Sequence, residues 1–213
     1  MTEYLFNSIA AAYDMWFEEH PIIYQSELRA LETFIPPEGS GLDIGTGTGR
    51  FAEHLGIKTG IEPAPNMAER ARNKGIAVKQ VRAEKLPFAD ELFDFALMVT
   101  IDCFLDNLDA AYWEAYRVLK PNGRLISGML DKNGALARQY RQEKSDESVY
   151  SKACFHTPEE TKAKLQKVGF KDIEFCQTLV NPNPVTVEKP QPGYGKGSFV
   201  VIKGVRPNSS HSL

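Results

Sequence analysis

Gly41-Leu42-Asp43-Ile44-Gly45-Thr46-Gly47-Thr48-Gly49-Arg50 decides how the rest of this 213-residue chain is read. Leu42 and Ile44 read as the end of a buried strand, three alternating glycines follow, and Phe51-Ala52-Glu53-His54-Leu55 begins a helix. A turn without Cβ atoms lets backbone touch a ligand, and the first turn of a helix offers unpaired N–H groups. At the carboxyl end of a parallel strand, such a turn is where open α/β sheets bind nucleotides.

The spacing discriminates between nucleotide classes. A P-loop ends in Gly-Lys-Ser/Thr, and Gly49-Arg50-Phe51 lacks that ending. A dinucleotide fingerprint carries a glycine three residues after Gly47, for close helix packing, and Arg50 stands there instead. The carboxylate of Asp43 faces a pyrophosphate unfavourably and suits an ammonium or sulfonium group. A second acid, Glu62, ends the short strand 59–62, well placed to accept both ribose hydroxyls. One acid before the turn and one after the next strand favour a cationic adenosine ligand.

Length and composition fit one domain with a well-buried core. A net charge of −3, a pI near 5.9 and scattered basic residues give no electrostatic footprint for nucleic acid. Cys103, Cys154 and Cys176 match neither a disulfide framework nor a zinc site, so no metal is expected. No apolar run reaches the roughly 18 residues of a membrane span, and the N-terminus lacks a basic-then-apolar signal. A cytoplasmic, thiol-reduced protein is the expectation.

Residues 3–19 and 21–34 carry apolar side chains at helical spacing and form an N-terminal helical cap over 1–35, broken by Pro36-Pro37-Glu38-Gly39. Strands at 41–44, 59–62, 77–81, 93–99 and 124–130 alternate with helices at 49–55, 65–73 and 108–119, which implies a parallel sheet with helices on both faces. Residues 131–156 interrupt the pattern as an insertion over the carboxyl edge of the sheet, helical at 135–144 and irregular at 150–156. Thr157-Pro158-Glu159-Glu160 opens a late helix with a capping box, ending near Gly169. Two final strands, 173–179 and 198–203, are joined by the proline- and glycine-rich segment 181–197, long enough to suggest function or mobility. Residues 206–213 read as a disordered tail.

The segment Asp43–Gly49 resembles motif I of the class I S-adenosylmethionine-dependent methyltransferases. Ala83-Glu84-Lys85-Leu86-Pro87-Phe88, with Phe93-Asp94-Phe95-Ala96, resembles their adenine-binding loop and fourth strand. Arg117-Val118-Leu119-Lys120-Pro121-Asn122-Gly123-Arg124-Leu125 resembles the helix-turn-strand that follows. The closest subgroup is the small-molecule type-11 set, similar to enzymes of ubiquinone and menaquinone synthesis. The resemblance implies a Rossmann-like, doubly wound, seven-stranded and mostly parallel sheet with an antiparallel last strand, in one domain over 1–205. It also implies S-adenosyl-L-methionine as cofactor, S-adenosyl-L-homocysteine as product, and a small-molecule methyl acceptor as partner.

By the same resemblance, Gly45, Gly47 and Thr48 contact the methionine part, Thr46 and Gly49 of the same turn bind the cofactor with them, and Asp43 orders the ammonium. Glu62 takes the ribose, bordered by Pro63 and Met67; Met67 serves equally as a core residue of its helix. Glu84, after Ala83, stands where an acid accepts from the adenine amine, with Lys85 and Leu86 adding backbone or ring-face contacts. Thr100, Ile101 and Phe104 follow the fourth strand, where methyl group and acceptor meet. Tyr13-Asp14-Met15-Trp16-Phe17 matches an N-terminal signature of several type-11 enzymes: Tyr13 offers an aromatic face to a sulfonium, Trp16 reads as core, and Phe17 as an acceptor contact. His156 and Asp102 are the candidate catalytic groups, and Phe104, Tyr140 and Tyr150 line the acceptor. The rival is a non-catalytic adenosylmethionine-binding or sensing domain, which keeps the glycines, Glu62 and Glu84 but lacks an enclosed acceptor pocket.

Overall fold

The computed structural model describes residues 2–142 and 149–208. Two helices lead, α1 (Thr2–Glu19) and α2 (Pro21–Glu32), followed by β1 (Gly41–Ile44), α3 (Arg50–His54), β2 (Thr59–Ile61), α4 (Pro65–Asn73) and β3 (Ala77–Lys79). Then come β4 (Phe93–Val99), α5 (Leu108–Val118), β5 (Leu119–Leu130), α6 (Ala135–Gln142), a 3-10 turn (Val149–Lys152) and α7 (Pro158–Val168). β6 (Lys171–Thr178), β7 (Gln191–Pro192) and β8 (Phe199–Val205) complete the sheet.

The strand order is β3-β2-β1-β4-β5-β8-β6-β7. The first five run parallel, and β8 inserts antiparallel between β5 and β6. This is the Rossmann-like α/β architecture expected, with one correction: the described sheet has eight strands, not seven. The eighth, Gln191–Pro192, pairs with Cys176 and Gln177 on the outer side of β6. Two residues carry no alternation to read, and Pro192 is tolerated because an edge strand need not donate on its free side.

β4 shows why the sheet is buried on both faces. Phe95, Leu97 and Val99 join a core with Leu28 and Leu31 of α2, Phe51 of α3 and Ala68 of α4. Ala96 and Met98 join the opposite core, with Ala111 and Tyr112 of α5 and Leu165 of α7. A strand covered on both sides is almost wholly apolar, as Phe93–Val99 is. α7 starts as expected: Thr157 Oγ1 accepts from the Glu160 amide at 3.2 Å, and the Glu160 carboxylate accepts from the Thr157 amide at 2.8 Å. Gly169, at φ 118°, ends it.

Several boundaries differ from expectation: β3 stops at Lys79, β6 begins at Lys171 and β8 runs on to Val205. β5 begins at Leu119 because Leu119 already pairs with Phe93 across a register shift, and Lys120 reaches Asp94 at 2.9 Å. The expected tail does not begin at Arg206, whose amide bonds the Gly123 carbonyl at 2.8 Å and whose guanidinium reaches Glu91 at 2.6 Å. Residues 209–213 lie outside the described residues, as do 143 and 144 of the expected helix. The segment 181–197 is pinned to α2, where the Glu188 amide donates to Ser26 Oγ at 3.0 Å.

Strand order reverses between β1 and β4, so the crevice above their carboxyl ends is where an open α/β sheet takes its ligand.

Candidate active site

β1 leaves the sheet through Gly45, at φ +74°, and Gly47, at φ +53°. A Cβ on Gly45 would lie 2.6 Å from Cγ2 of Ile101, so only glycine lets the β1 turn pass the end of β4. Gly47 differs: its Cβ would meet only the Tyr13 ring, at 3.8 Å, leaving the peptide facing α1 across an open gap. The turn is tied to α1 from below. Thr48 Oγ1 donates to Asp14 at 2.7 Å, Arg50 Nε to the same carboxylate at 2.9 Å, and Arg70 to its other oxygen at 3.1 Å. Burial pushes the Asp14 carboxyl up, but the bonds from Thr48 and Arg50 outweigh it and hold the pKa below the usual value. Arg50, which spoils the dinucleotide fingerprint, is thus an anchor for α1.

Three carboxylates besides Asp14 lie around the turn. Asp43 is buried at the end of β1 and accepts from Thr46 Oγ1 at 2.6 Å. Burial, helped by the neighbouring charge of Glu62, pushes its pKa to about 7 against the pull of Thr46. Glu62 follows β2 and accepts from the Gly47 amide at 3.0 Å and the Ala64 amide at 2.8 Å. Burial outweighs those amides and lifts it to about 7. Glu84 lies on the loop before β4; its Oε1 takes a 3.4 Å bond from the Asn107 amide and a 3.5 Å one from Arg82, whereas its Oε2 is buried with no partner among the described residues.

A cavity of about 400 Å³ opens beside this turn, within the ordinary range for small-molecule sites. One wall carries Gly45, Gly47, Glu62, Met67, Thr100 and Ile101. Thr100 takes φ +52°, a strained angle for a β-branched residue, and its amide bonds the Gly128 carbonyl at 2.7 Å. That reversal turns Thr100 and Ile101 into the cavity. α1 covers it with Phe6, Ile9 and Tyr13. A smaller pocket of about 80 Å³, lined by Pro63, Ala83, Glu84 and Leu105, shares Gly45, Glu62, Ile101 and Phe104 with the larger one.

The other end of the cavity is aromatic. Tyr140 of α6 stacks on Tyr150 with centroids 4.2 Å apart, and Phe104 packs 5.6 Å from Tyr150. Phe17 sits edge-on to Tyr13 at 5.0 Å. Among these rings α2 presents Ile23 and Glu27, one helical turn apart on one face. Glu27 was not anticipated as a site residue. Its signal was an acid at helical spacing within the apolar face that Ile23 and Leu31 define.

Most expected contacts therefore converge: Tyr13, Phe17, Gly45, Gly47, Glu62, Met67, Thr100, Ile101, Phe104, Tyr140 and Tyr150 on the large cavity, Pro63, Ala83 and Glu84 on the small one. Several do not. Asp43, Thr46, Thr48 and Gly49 brace the turn without lining either space, Leu86 is buried in the core beyond β4, and Lys85 is exposed. The two acid–base candidates also stay away from both cavities. Asp102 is buried, and His156 Nδ1 lies 3.7 Å from its carboxylate, so the pair faces itself rather than a ligand. Among the described residues, no three His, Cys, Asp or Glu side chains are placed to hold a metal ion, and no helix is long and apolar enough to cross a membrane.

Comparison with known proteins agrees with this geometry. Residues 42–127 match the methyltransferase domain family. An uncharacterised Methanocaldococcus jannaschii protein is 41% identical over 199 residues, covering 93% of this chain and 97% of its own. The ubiquinone/menaquinone biosynthesis C-methyltransferase of Desulfotalea psychrophila is 33% identical over 143 residues, 58% of this chain and 56% of its own. The crystal structure of a Thermotoga maritima protein, described as a SAM-dependent methyltransferase and possible histamine N-methyltransferase, superposes with a TM-score of 0.92 at 43% identity, over 97% of this chain and 100% of that one.

Proposed function

The chain belongs to the class I S-adenosylmethionine-dependent methyltransferases of the type-11 group, and on that premise we propose that it methylates a small organic acceptor enclosed between the glycine turn and α2. The observation that carries the cofactor half is the unpartnered Oε2 of Glu84, buried beside the small pocket that continues the main cavity. An adenine amine donates to such an oxygen. Glu62, common to both spaces, accepts from ribose hydroxyls. Gly45 and Gly47 leave room for the methionine part, and Asp43 supplies negative charge behind it. When bound, the cofactor brings an electrophilic methyl group on a positively charged sulfur.

The protein's own part is then positional. Tyr13, against Gly47, offers its ring to the cation, and the aromatic end of the cavity excludes water from the acceptor. In-line displacement needs the attacking atom held close to the methyl carbon, and such alignment supplies up to about 7–11 kcal/mol of barrier lowering. A binding-only role needs no such second space. Names carried by relatives span carbon and nitrogen acceptors, so the acceptor class rests on this chain's own residues.

Calorimetry with S-adenosylhomocysteine and with NADH is the test, followed by label transfer from methyl-labelled cofactor to quinones, phenols, amines and thiols. Adenosylhomocysteine binding with label in one acceptor class is the expected result. NADH binding in its place would defeat the reading, and cofactor binding without transfer to any class would favour the binding-only rival.

A further inference from the structure

Among the described residues, Glu27 is the carboxylate lining the aromatic end of the cavity, and the proposed cofactor site does not use it. It is 6% exposed and lines the cavity beside Phe17, Ile23, Leu136, Tyr140 and Tyr150. No hydrogen bond or ion pair reaches its carboxylate from the described residues, and burial alone raises its pKa to about 8, with nothing offsetting it. Among the described groups, its charge raises the pKa of the phenols of Tyr13 on α1, Tyr24 on α2 itself and Tyr150 on the 3-10 turn. Tyr13 feels Glu62 and Asp43 as well, and it lines the same cavity as Glu62 and Glu27.

A buried carboxylate without a partner is costly, and a fold that keeps one in a cavity gains only from a ligand that completes it. Below about pH 8 the empty site holds its proton; once ionised, it repels an anionic acceptor, and a neutral hydroxyl leaves the charge uncompensated. A protonated amine brings both the opposite charge and the hydrogen-bond donors, and the surrounding rings favour a cation. Building on the methyltransferase reading, we propose that Glu27 binds a primary or secondary alkylamine acceptor in the aromatic end of the cavity and takes its proton before methyl transfer.

The step balances with the groups named. The ammonium gives one proton to the Glu27 carboxylate, leaving a neutral amine beside a carboxylic acid. The nitrogen lone pair forms the new N–C bond as the methyl C–S bond breaks, and that electron pair stays on sulfur. The product is the N-methylated ammonium, the cofactor product is neutral at sulfur, and Glu27 returns its proton to water as the product leaves. A carboxyl that titrates near 8 suits this exchange, because it is neither too weak to accept the proton nor too strong to release it.

The experiment uses the full chain, wild type and Glu27→Gln and Glu27→Met variants. Adenosylhomocysteine affinity is measured first by calorimetry. With that ligand saturating, 2-phenylethylamine and tryptamine are titrated against 2-phenylethanol and indole-3-ethanol, the same shapes without the charge. At about pH 9, where Glu27 is ionised and the amines still carry their protons, the amines should bind wild type at least about tenfold tighter than the alcohols, and Glu27→Gln should erase that preference while adenosylhomocysteine affinity stays within about twofold. Glu27→Met should raise Tm and also erase it, whereas a purely structural Glu27 would lower Tm when replaced. Labelled methyl transfer to the amines should rise with pH to about 8 in wild type, and Glu27→Gln should lack that limb. Adenosylhomocysteine binding with no amine preference, or a preference that survives Glu27→Gln, would overturn the proposal and leave the methyltransferase reading intact. A wild type that binds no adenosylhomocysteine would overturn both.

Discussion

The two halves of the cavity are built on opposite plans. On the glycine-turn side, backbone does the shaping and the carboxylates are partly satisfied: Asp43 by Thr46, Glu62 by the Gly47 and Ala64 amides. On the α2 side, side chains from α1, α2, α6 and the 3-10 turn do the shaping, and among the described residues Glu27 is the carboxylate there and has no hydrogen-bond or ion-pair partner. The first half is fixed by a conformation few residues adopt, the second by a gathering of rings that many sequences could supply. The proposed function divides the same way, with the fixed end assigned to the nucleoside and the adaptable end to the acceptor.

The largest effect should come from the backbone side. Gly45→Ala places a methyl 2.6 Å from Ile101 Cγ2 at φ +74°, and calorimetry should find adenosylhomocysteine affinity lowered about 100-fold or more, with a lower Tm. Glu62→Ala comes next: losing the ribose acceptor should weaken the same ligand by about tenfold or more. On the α2 side, Tyr140→Ala should raise the acceptor KM several-fold while leaving cofactor affinity unchanged, because the ring it removes stacks on Tyr150 and not on the glycine turn. If Tyr140→Ala weakens cofactor instead, the two halves are not separate.

Much of the first half was legible in sequence because it is local. Gly45, Gly47, Glu62 and Glu84 take their places from the strands that immediately precede or follow them, so spacing pointed to the first three and the family resemblance to Glu84. Asp102 and His156 show the limit. Chemically they suit proton transfer, but only the path of the chain after β4 and before α7 decides that they face each other and not the cavity. Glu27 was missed for the converse reason: an acid in a helix reads as solvated until the helix is seen packed beside Tyr13 and Tyr150. Gln191–Pro192 escaped because its pairing is set by β6 rather than by its own side chains.

Acidity separates the halves more gently. Asp43 and Glu62 near 7 and Glu27 near 8 hold protons in the folded chain that an unfolded chain releases near about pH 4. Raised carboxyls stabilise at low pH and lose that contribution as pH rises through their folded values. Asp94, held down to about 2 by Lys120 and Ser40, works the other way and gives up its share as pH falls from about 4 toward 2. Ligand-free protein should therefore lose Tm between about pH 5 and 8, and Glu27→Met should flatten the upper part of that decline. A Tm that rises across this range would contradict the burial of all three. The smallest effect belongs to His156→Ala, which should leave adenosylhomocysteine affinity unchanged and turnover within about twofold, since His156 lines neither cavity.

A crystal structure with S-adenosylhomocysteine bound tests the account most directly. The adenine amine should lie within hydrogen-bond reach of Glu84 Oε2, the ribose on Glu62, and the sulfur beside Tyr13 with open space between it and Glu27. A nucleoside seated anywhere else, or a sulfur turned away from α2, would contradict it.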